Sequence, residues 1–227
     1  MTHDPYAFIS PSAIVADDRH RPLLRSPMEQ AHAAAGATLE ERGGWQVALY
    51  DAEPGEAWQA DVSHLGKLDL RGSAAEMDAL TGGLEPGHVR HDGEVWTLRL
   101  TAIHGYVVCP FEMVPMLRER LGGSGVDVTC GLAGVALGGS AWREVWARSS
   151  GLDVREGRFP PGRCMAGSVM RVPTLVAHIE DMVLLFVGWE YAEYFWEAML
   201  DAGEPLGIAS VSWAVGAGVR EGEQVEA

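Results

Sequence analysis

Two single residues of this sequence could do acid–base or ligand-binding chemistry. Glu94 follows Gly93 at the start of an apolar strand predicted over residues 95–100, where a carboxylate could hydrogen-bond a ligand amine or act as a catalytic acid. A plain acid in a hairpin turn explains the same position equally well. His64, after Ser63, could act as a base, or could be a turn residue or a buried histidine with satisfied hydrogen bonds.

The other polar and glycine-rich patterns favour structural roles. Residues 131–136 contain glycines but lack the fingerprint spacing of a nucleotide-binding loop, and no Ser-His-Asp order or metal-binding box is present. One face of a late helix is acidic, which predicts a solvated surface, and its aromatic residues predict core rather than a ring-stacking pocket. The acids are Glu190, Glu193, Glu197 and Asp201, and the apolar series is Tyr191, Tyr194, Phe195, Ala198 and Met199.

Composition excludes some classes of function. The 227 residues are 47% hydrophobic, enough to bury a full core, and 32 acidic against 17 basic residues give a net charge of -15. A nucleic-acid partner is therefore not expected. Cys109, Cys130 and Cys164 form an odd set without metal-ligand spacing, and no signal peptide or long apolar run is present. We expect a cytoplasmic protein with no membrane partner.

A repeated stretch must position the candidate residues. In residues 61–74 and again in residues 135–141, an apolar run reaches Gly-Ser-Ala and then changes to helical spacing. This pattern predicts two strands followed by helices with Ser73 and Ser140 as N-caps. Residues 68–121 and 135–202 should then be similar units with the same order of elements, unless the short similarities arose by chance.

The sequence predicts an α+β fold of two pseudo-repeated halves, built from antiparallel or mixed sheets with helices. An extended arm over residues 1–25 precedes a first half at 26–122 and a second half at 123–216. An acidic tail, residues 217–227, is expected to be frayed.

Several local elements follow from shorter patterns. Ser26 and the residues after it predict a capped helix that Gly43-Gly44 ends. The prolines of residues 158–164 predict a rigid loop, and a hairpin should turn at Glu180-Asp181. After the late helix, residues 207–215 predict one more strand.

Two longer motifs carry a family resemblance. Asp61-Val-Ser-His-Leu-Gly-Lys-Leu-Asp-Leu70, with the preceding Gly43-Gly-Trp45, resembles the amino-terminal part of the glycine cleavage T-protein, a folate-dependent aminomethyltransferase. Phe159-Pro-Pro-Gly-Arg-Cys164, followed by Tyr191-Ala-Glu-Tyr-Phe-Trp-Glu197, resembles the gamma subunit of heterotetrameric sarcosine oxidase, a shortened relative of that protein. Together the resemblance spans roughly residues 26–215.

The resemblance implies a T-protein-like folate-binding fold whose two halves surround a central cavity. The T-protein has an Asp-Asp pair before one strand, its second aspartate acting at the folate nitrogen, and Glu94 stands at the matching position here. Of the second T-protein signature, which shapes the pterin site, only Glu180 remains. The resemblance thus implies Glu94 as catalytic and Glu180, with His64, as cofactor-binding, without any metal. The T-protein's carboxyl-terminal barrel is absent from this sequence.

These departures favour a subunit over a complete transferase. The leading interpretation is a mainly structural gamma-type subunit of a sarcosine-oxidase-like, folate-linked complex that oxidises secondary amines. Other subunits of the flavoprotein amine oxidase would be its partners and would hold the flavins. The alternative is a freestanding aminomethyltransferase or demethylase that binds tetrahydrofolate itself. A third interpretation is a folate-fold protein that is a pure scaffold.

Overall fold

A computed structural model describes residues 22–213, which form a three-stranded sheet, an eleven-stranded sheet and five α-helices. The predicted arm up to residue 21, the acidic tail and the end of the last predicted strand lie outside the described residues. The strands are β1 Leu24–Arg25, β2 Thr38–Arg42, β3 Trp45–Leu49, β4 Trp58–Asp61, β5 Gly66–Arg71, β6 His88–Asp92, β7 Val95–Thr101, β8 His104–Cys109, β9 Gly125–Asp127, β10 Leu132–Gly138, β11 Arg163–Val169, β12 Val172–Ile179, β13 Met182–Gly188 and β14 Ala209–Ser210. The helices are α1 Glu29–Ala34, α2 Ala74–Thr81, α3 Val114–Leu121, α4 Trp142–Ser149 and α5 Ala192–Gly203. The α+β fold class is confirmed.

The small sheet corrects the first predicted helix. That helix, α1, ends at Ala34, and Gly36 at φ 78° turns the chain away from it. The next residues form β2, which pairs antiparallel with β3. Gly43 and Gly44, at φ 59° and 83°, are therefore the turn of a β-hairpin and not a helix terminator. The helical spacing of Met28, Ala31 and Ala35 predicts a longer helix than the structure contains.

The large sheet has the order β14-β4-β10-β13-β12-β11-β6-β7-β8-β5-β9. The order β5-β8-β7-β6 at one end matches β10-β13-β12-β11 at the other, and in each set a helix follows the first and the last strand in sequence. The two sets meet where β11 pairs antiparallel with β6. The element order of residues 66–121 thus recurs in residues 132–203. The predicted boundary at residue 122 stays a prediction.

The strand that precedes each set is exchanged between the two. β4, which leads into β5, pairs antiparallel with β10, while β9, which leads into β10, pairs antiparallel with β5. Each set therefore pairs its first strand with a strand from the other part of the chain.

The two predicted serine caps have different outcomes. Ser73 caps α2 with its hydroxyl accepting from the Glu76 amide, and the Glu76 carboxylate accepts from the Ser73 amide in return. The prediction for Ser140 is wrong, because α4 begins two residues later with Ala141 at its N-cap and no side-chain capping bond.

Hairpins form much of the large sheet. β7 pairs with β8, and β12 and β13 pair with their turn at Glu180-Asp181 as predicted. The predicted rigid loop is shorter than expected, since Arg163 already pairs with His178 as the first residue of β11. β6 is a further strand that the glycine-rich turn signals before residue 95 concealed.

Three clusters of buried side chains form the core. Alternate residues of β10, β12 and β13 face helices α4 and α5 on one side of the sheet, and the residues between them face a second cluster on the other side. That second cluster also receives Leu98 and Val108 from the first set of strands. The third cluster lies between β5, β8 and helices α2 and α3. The shared second cluster joins both sets of strands.

Candidate functional site

A pocket of about 250 Å³ lies where the small sheet meets the end of β4. Its polar walls come from the last residue of β4, the turn that follows it, the end of β3 and the chain after β14. The lining residues are Arg42, Val47, Ala48, Leu49, Tyr50, Asp51, Asp61, His64, Ser212 and Trp213. Of the three predicted site residues, only His64 lines this pocket.

A chain of three side chains runs from the pocket into the core. Tyr50 Oη lies 2.8 Å from Nδ1 of His32, and Nε2 of His32 lies 2.8 Å from Oδ2 of Asp61. His32 is fully buried, and the edge of its ring packs on Trp196 with centroids 4.7 Å apart. The second carboxylate oxygen of Asp61 accepts from the Ser63 amide at 2.8 Å. Both nitrogens of the buried imidazole are therefore satisfied.

The protonation states of these linked side chains follow from burial and hydrogen bonding. Burial alone would raise the pKa of Asp61, but hydrogen bonds from His32, Ser26 and the Ser63 amide outweigh it, and the net pKa lies below its usual value. Burial raises the pKa of Tyr50 to about 12, so the phenol stays protonated. When His32 is neutral, its Nε2–H donates a hydrogen bond to the Asp61 carboxylate, and its Nδ1 accepts a hydrogen bond from the Tyr50 hydroxyl.

His64 projects from the turn after β4 and is half-buried. Burial lowers its pKa to about 4, and the positive charge of Lys67 acts in the same direction against the attraction of Asp61. His64 is consequently neutral at pH 7, the state in which an imidazole offers one donor and one acceptor. Its turn position agrees with one of the structural alternatives drawn from the sequence.

The turn that carries His64 is held by buried polar bonds. Ser63 accepts the Gly134 amide on its hydroxyl at 3.1 Å, and its carbonyl accepts from Nζ of Lys67 at 2.8 Å. Lys67 is the only lysine of the chain and is fully buried. Desolvation lowers its pKa to about 8 despite the nearby carboxylates of Asp61 and Asp127.

The pKa values of the polar side chains determine which chemistry the pocket can support. A general acid or base works best when its pKa lies near the working pH. Tyr50 at about 12 and His64 at about 4 lie far from neutrality, and the Asp61 carboxylate is held ionised. The arrangement can orient a polar group by hydrogen bonds. Tyr50, His64 and Asp61 are not tuned to exchange protons with a substrate at pH 7.

The structure does not place the two predicted glutamates in this pocket. Glu94 is exposed in the turn between β6 and β7, and Glu180 is exposed, at φ 52°, in the turn between β12 and β13. Both turns lie at the same edge of the sheet, with β11 and β6 between them. β12 and β7 are three strand spacings apart, about 14 Å at roughly 4.8 Å each, and the register adds a further offset of the two turns along the strands. The roles predicted for Glu94, Glu180 and His64 remain predictions.

The sequence interpretation missed the buried chain of Tyr50, His32 and Asp61. His32 lies one helical turn after Met28, so the two residues share one face of the predicted helix. A histidine at such a position needs polar partners, which is the signal that was present. Identifying Asp61 and Tyr50 as those partners required knowing that α1 packs beside the end of β4.

Two further properties concern the described residues only. In residues 22–213, no group of three or more histidine, cysteine, aspartate or glutamate side chains could hold a metal ion. In the same part of the chain, no helix has the length and apolar character needed to cross a membrane.

Comparison with known protein families identifies the family of this chain. Residues 91–204 match the model of the sarcosine oxidase, gamma subunit family. The chain belongs to this family. One chain of the heterotetrameric sarcosine oxidase from Corynebacterium sp. U-96, solved with pyrrole 2-carboxylate, has a similar structure with a TM-score of 0.63 and 22% identity. The similarity covers 81% of the present gamma-family chain and 96% of that chain.

The gamma-family chain is also similar to aminomethyltransferases. One from Streptomyces coelicolor is 29% identical over 221 residues, which cover 82% of the present chain and 59% of that protein. The structure of aminomethyltransferase T from Bartonella henselae matches with a TM-score of 0.67 and 16% identity, over 83% of this chain and 59% of that chain. The gamma-family chain thus spans about three-fifths of these relatives, and the structural likeness establishes a common fold.

Proposed function

We propose that this chain is the gamma subunit of a heterotetrameric, sarcosine-oxidase-like complex that oxidises a secondary amine, and that its role there is mainly structural. One observation carries the proposal: residues 91–204 match the sarcosine oxidase, gamma subunit family. Partner subunits would hold the flavins and the folate site. This chain would complete the assembly.

The positions of the candidate acids support a structural role. A pterin ring needs a carboxylate beside its amine-rich edge, and leaving such polar groups unpaired on burial costs about 1 to 3 kcal/mol each. Glu94 and Glu180 are exposed in separate turns, where neither is enclosed against a ligand. Glu94 and Glu180 therefore do not fit an enclosed pterin.

Co-expression tests the subunit role. The chain is produced with the three other subunits of the heterotetrameric enzyme from its own organism, and each preparation is tested for assembly and for oxidation of N-methylglycine. We expect the complex to form only when this chain is present, and Glu94→Gln and Glu180→Gln to leave the rate of oxidation unchanged. A fully active complex that forms without the chain would contradict the proposal.

The second candidate function is a freestanding tetrahydrofolate-dependent aminomethyltransferase or demethylase. The observation that favours it is the 29% identity to the Streptomyces coelicolor aminomethyltransferase over 82% of this chain. Calorimetric titration of the isolated chain with tetrahydrofolate separates the two functions. We expect no heat at millimolar ligand. Micromolar binding that Glu94→Gln or Glu180→Gln weakens tenfold, about 1.4 kcal/mol, would support the transferase instead.

A further inference from the structure

The start of α5 carries a group of exposed aromatic side chains. Trp189 is 40% exposed, Tyr191 43% and Tyr194 54%, and all three lie within six residues of sequence. The other large exposed hydrophobic side chains of residues 22–213 are scattered over different elements: Leu23, Ile103, Met116 and Val126. Large apolar groups gathered in one exposed place mark an interaction surface more often than single ones do.

The exposed aromatic side chains are held by a rigid support. On the opposite side of α5, Phe195, Trp196 and Met199 are completely buried in the core beside α4. Tyr194 also donates its hydroxyl to the Met170 carbonyl at 3.3 Å, which fixes the ring although more than half of it is exposed. Rings that are already ordered lose little conformational entropy when a partner covers them.

The same face of the helix is strongly acidic. Glu190, Glu193, Glu197 and Asp201 are all exposed, and residues 189–203 contain no lysine or arginine. Arg171, which follows Met170 in the turn that accepts the Tyr194 bond, is exposed. We call this surface the aromatic–acidic face; it comprises Trp189, Glu190, Tyr191, Glu193, Tyr194, Glu197 and Asp201.

Its composition specifies the chemistry of an occupant. Tryptophan and tyrosine side chains are the residues that most often dominate the binding energy of protein interfaces. Their faces attract guanidinium groups, and four neighbouring carboxylates can pair with those groups by forked hydrogen bonds. A surface rich in arginine is complementary to the aromatic–acidic face in both respects. An acidic or purely apolar partner would leave its carboxylates without partners.

We propose that the aromatic–acidic face docks an arginine-rich surface of another subunit of the complex. This inference rests on the proposed subunit role and deepens it by assigning the surface and the chemistry of the contact. Trp189, Tyr191 and Tyr194 are its anchors. The four carboxylates accelerate and orient the encounter, so the association rate falls as salt is added.

Binding measurements with surface variants test the inference. The full chain and the three other subunits of its own enzyme are mixed, and the dissociation constant of the complex is measured. A triple variant, Trp189→Ser, Tyr191→Ser and Tyr194→Ser, should weaken assembly at least tenfold, while Glu193→Lys with Glu197→Lys should slow association and remove most of its salt dependence. The matched control is Ile103→Ser with Met116→Ser, which removes exposed apolar groups elsewhere and should bind as the native chain does.

The outcomes separate this inference from the proposed function. Thermal unfolding of each variant is followed first, and because the changed side chains are exposed, we expect native-like transitions. A complex that forms with native affinity from the aromatic triple variant refutes the docking surface and leaves the subunit role standing. A native chain that binds none of the three subunits refutes both. If charge reversal strengthens assembly, the occupant is acidic and the arginine-rich assignment is wrong.

Discussion

Nε2 of His32 lies 2.8 Å from Oδ2 of Asp61, and both side chains are almost completely excluded from solvent. His32 belongs to α1, beside the small sheet, whereas Asp61 is the last residue of β4, which lies between β14 and β10 in the large sheet. The hydrogen bond between His32 and Asp61 therefore connects α1, beside the small sheet, to β4, the strand that is exchanged between the two sets. Through Tyr50, the same chain of bonds also reaches the pocket.

Removing the buried carboxylate should be costly. Asp61→Ala leaves His32 Nε2 and the Ser63 amide without their acceptor, and each buried donor left unsatisfied costs about 1 to 3 kcal/mol. The free energy of unfolding in urea measures the loss. Asp92→Ala is the matched control, because its bond to Arg90 is exposed and such pairs contribute about 0 to 1 kcal/mol. Equal effects of the two substitutions would show that the buried chain adds no stability.

Lys67 should titrate far below an ordinary lysine. Its pKa is lowered by desolvation to about 8, so the folded chain releases this proton before the unfolded chain does. Between about pH 8 and 10.5 the unfolded state binds more protons, and the lysine contribution to stability rises with pH, on the order of 1 kcal/mol per pH unit. Selective ¹⁵N labelling of lysine gives a single side-chain signal, since Lys67 is the only lysine.

Lys67→Met separates this effect from the buried thiols. Burial raises the pKa of Cys109 and of Cys164 to about 12, so these groups lower stability as pH rises above about 9. The variant keeps the thiols and lacks the lysine. We expect the unfolding free energy of the native protein to increase relative to that of the variant between pH 7.5 and pH 9.5. A constant difference, with a lysine signal that titrates above pH 10, would contradict the lowered pKa.

Two histidines predict an acid-sensitive fold. Burial lowers the pKa of His64 to about 4 and also lowers the pKa of His178, whereas unfolded histidine titrates near 6.5. As pH falls from about 6.5 toward 4, the unfolded state gains protons first and stability decreases. The lowered pKa of Asp61 adds its loss only below about 3.8.

His64→Gln should reduce the loss of stability on acidification. Urea midpoints at pH 7 and pH 5 should lie closer together for this variant than for the native chain, by less than the full linkage value because the ring is half-buried. His91→Gln, at an exposed position, provides the control. The interpretation fails if both variants show the native difference between the two pH values.

Gly138 should tolerate no side chain. It pairs with Trp58 across the exchanged strands β10 and β4, and a methyl group on Gly138 would overlap the indole ring. We expect Gly138→Ala to lower the unfolding free energy by about 1 to 3 kcal/mol through overpacking. At Gly131 an added methyl group meets nothing within 4 Å, so Gly131→Ala should change stability by less than about 0.5 kcal/mol. Similar melting temperatures for the two variants would contradict this packing.

Local chemistry was the part of the fold that the sequence revealed best. The Ser73 N-cap and the hairpin turn at Glu180-Asp181 depend on residues close together in the chain, and both predictions are confirmed. Phe195 of α5 is buried as predicted. The same periodicity wrongly assigned Tyr191 and Tyr194 to the core, because a helical period cannot tell how wide the neighbouring apolar surface is.

The pocket could not be predicted because its parts come from distant segments. Tyr50, Asp61 and Trp213 approach one another only after β14 pairs parallel with β4 and α1 packs beside it. The exchange of β4 and β9 is hidden for the same reason: each strand precedes one set in sequence but pairs with the other. No pattern within a short window distinguishes that pairing from the simpler one.

The exchange of β4 and β9 affects how the chain can fold while it is being synthesised. During translation β4 leaves the ribosome long before Leu132–Gly138, the strand that covers its edge, and β5 must wait for β9. The edge of the amino-terminal set at β5 thus stays open until Asp127 of the 227 residues, somewhat more than half of the chain, has been made. Pairings so distant in sequence slow folding and expose nascent chains to aggregation. Chaperone demand should consequently be greatest midway through elongation and fall once residue 138 has emerged.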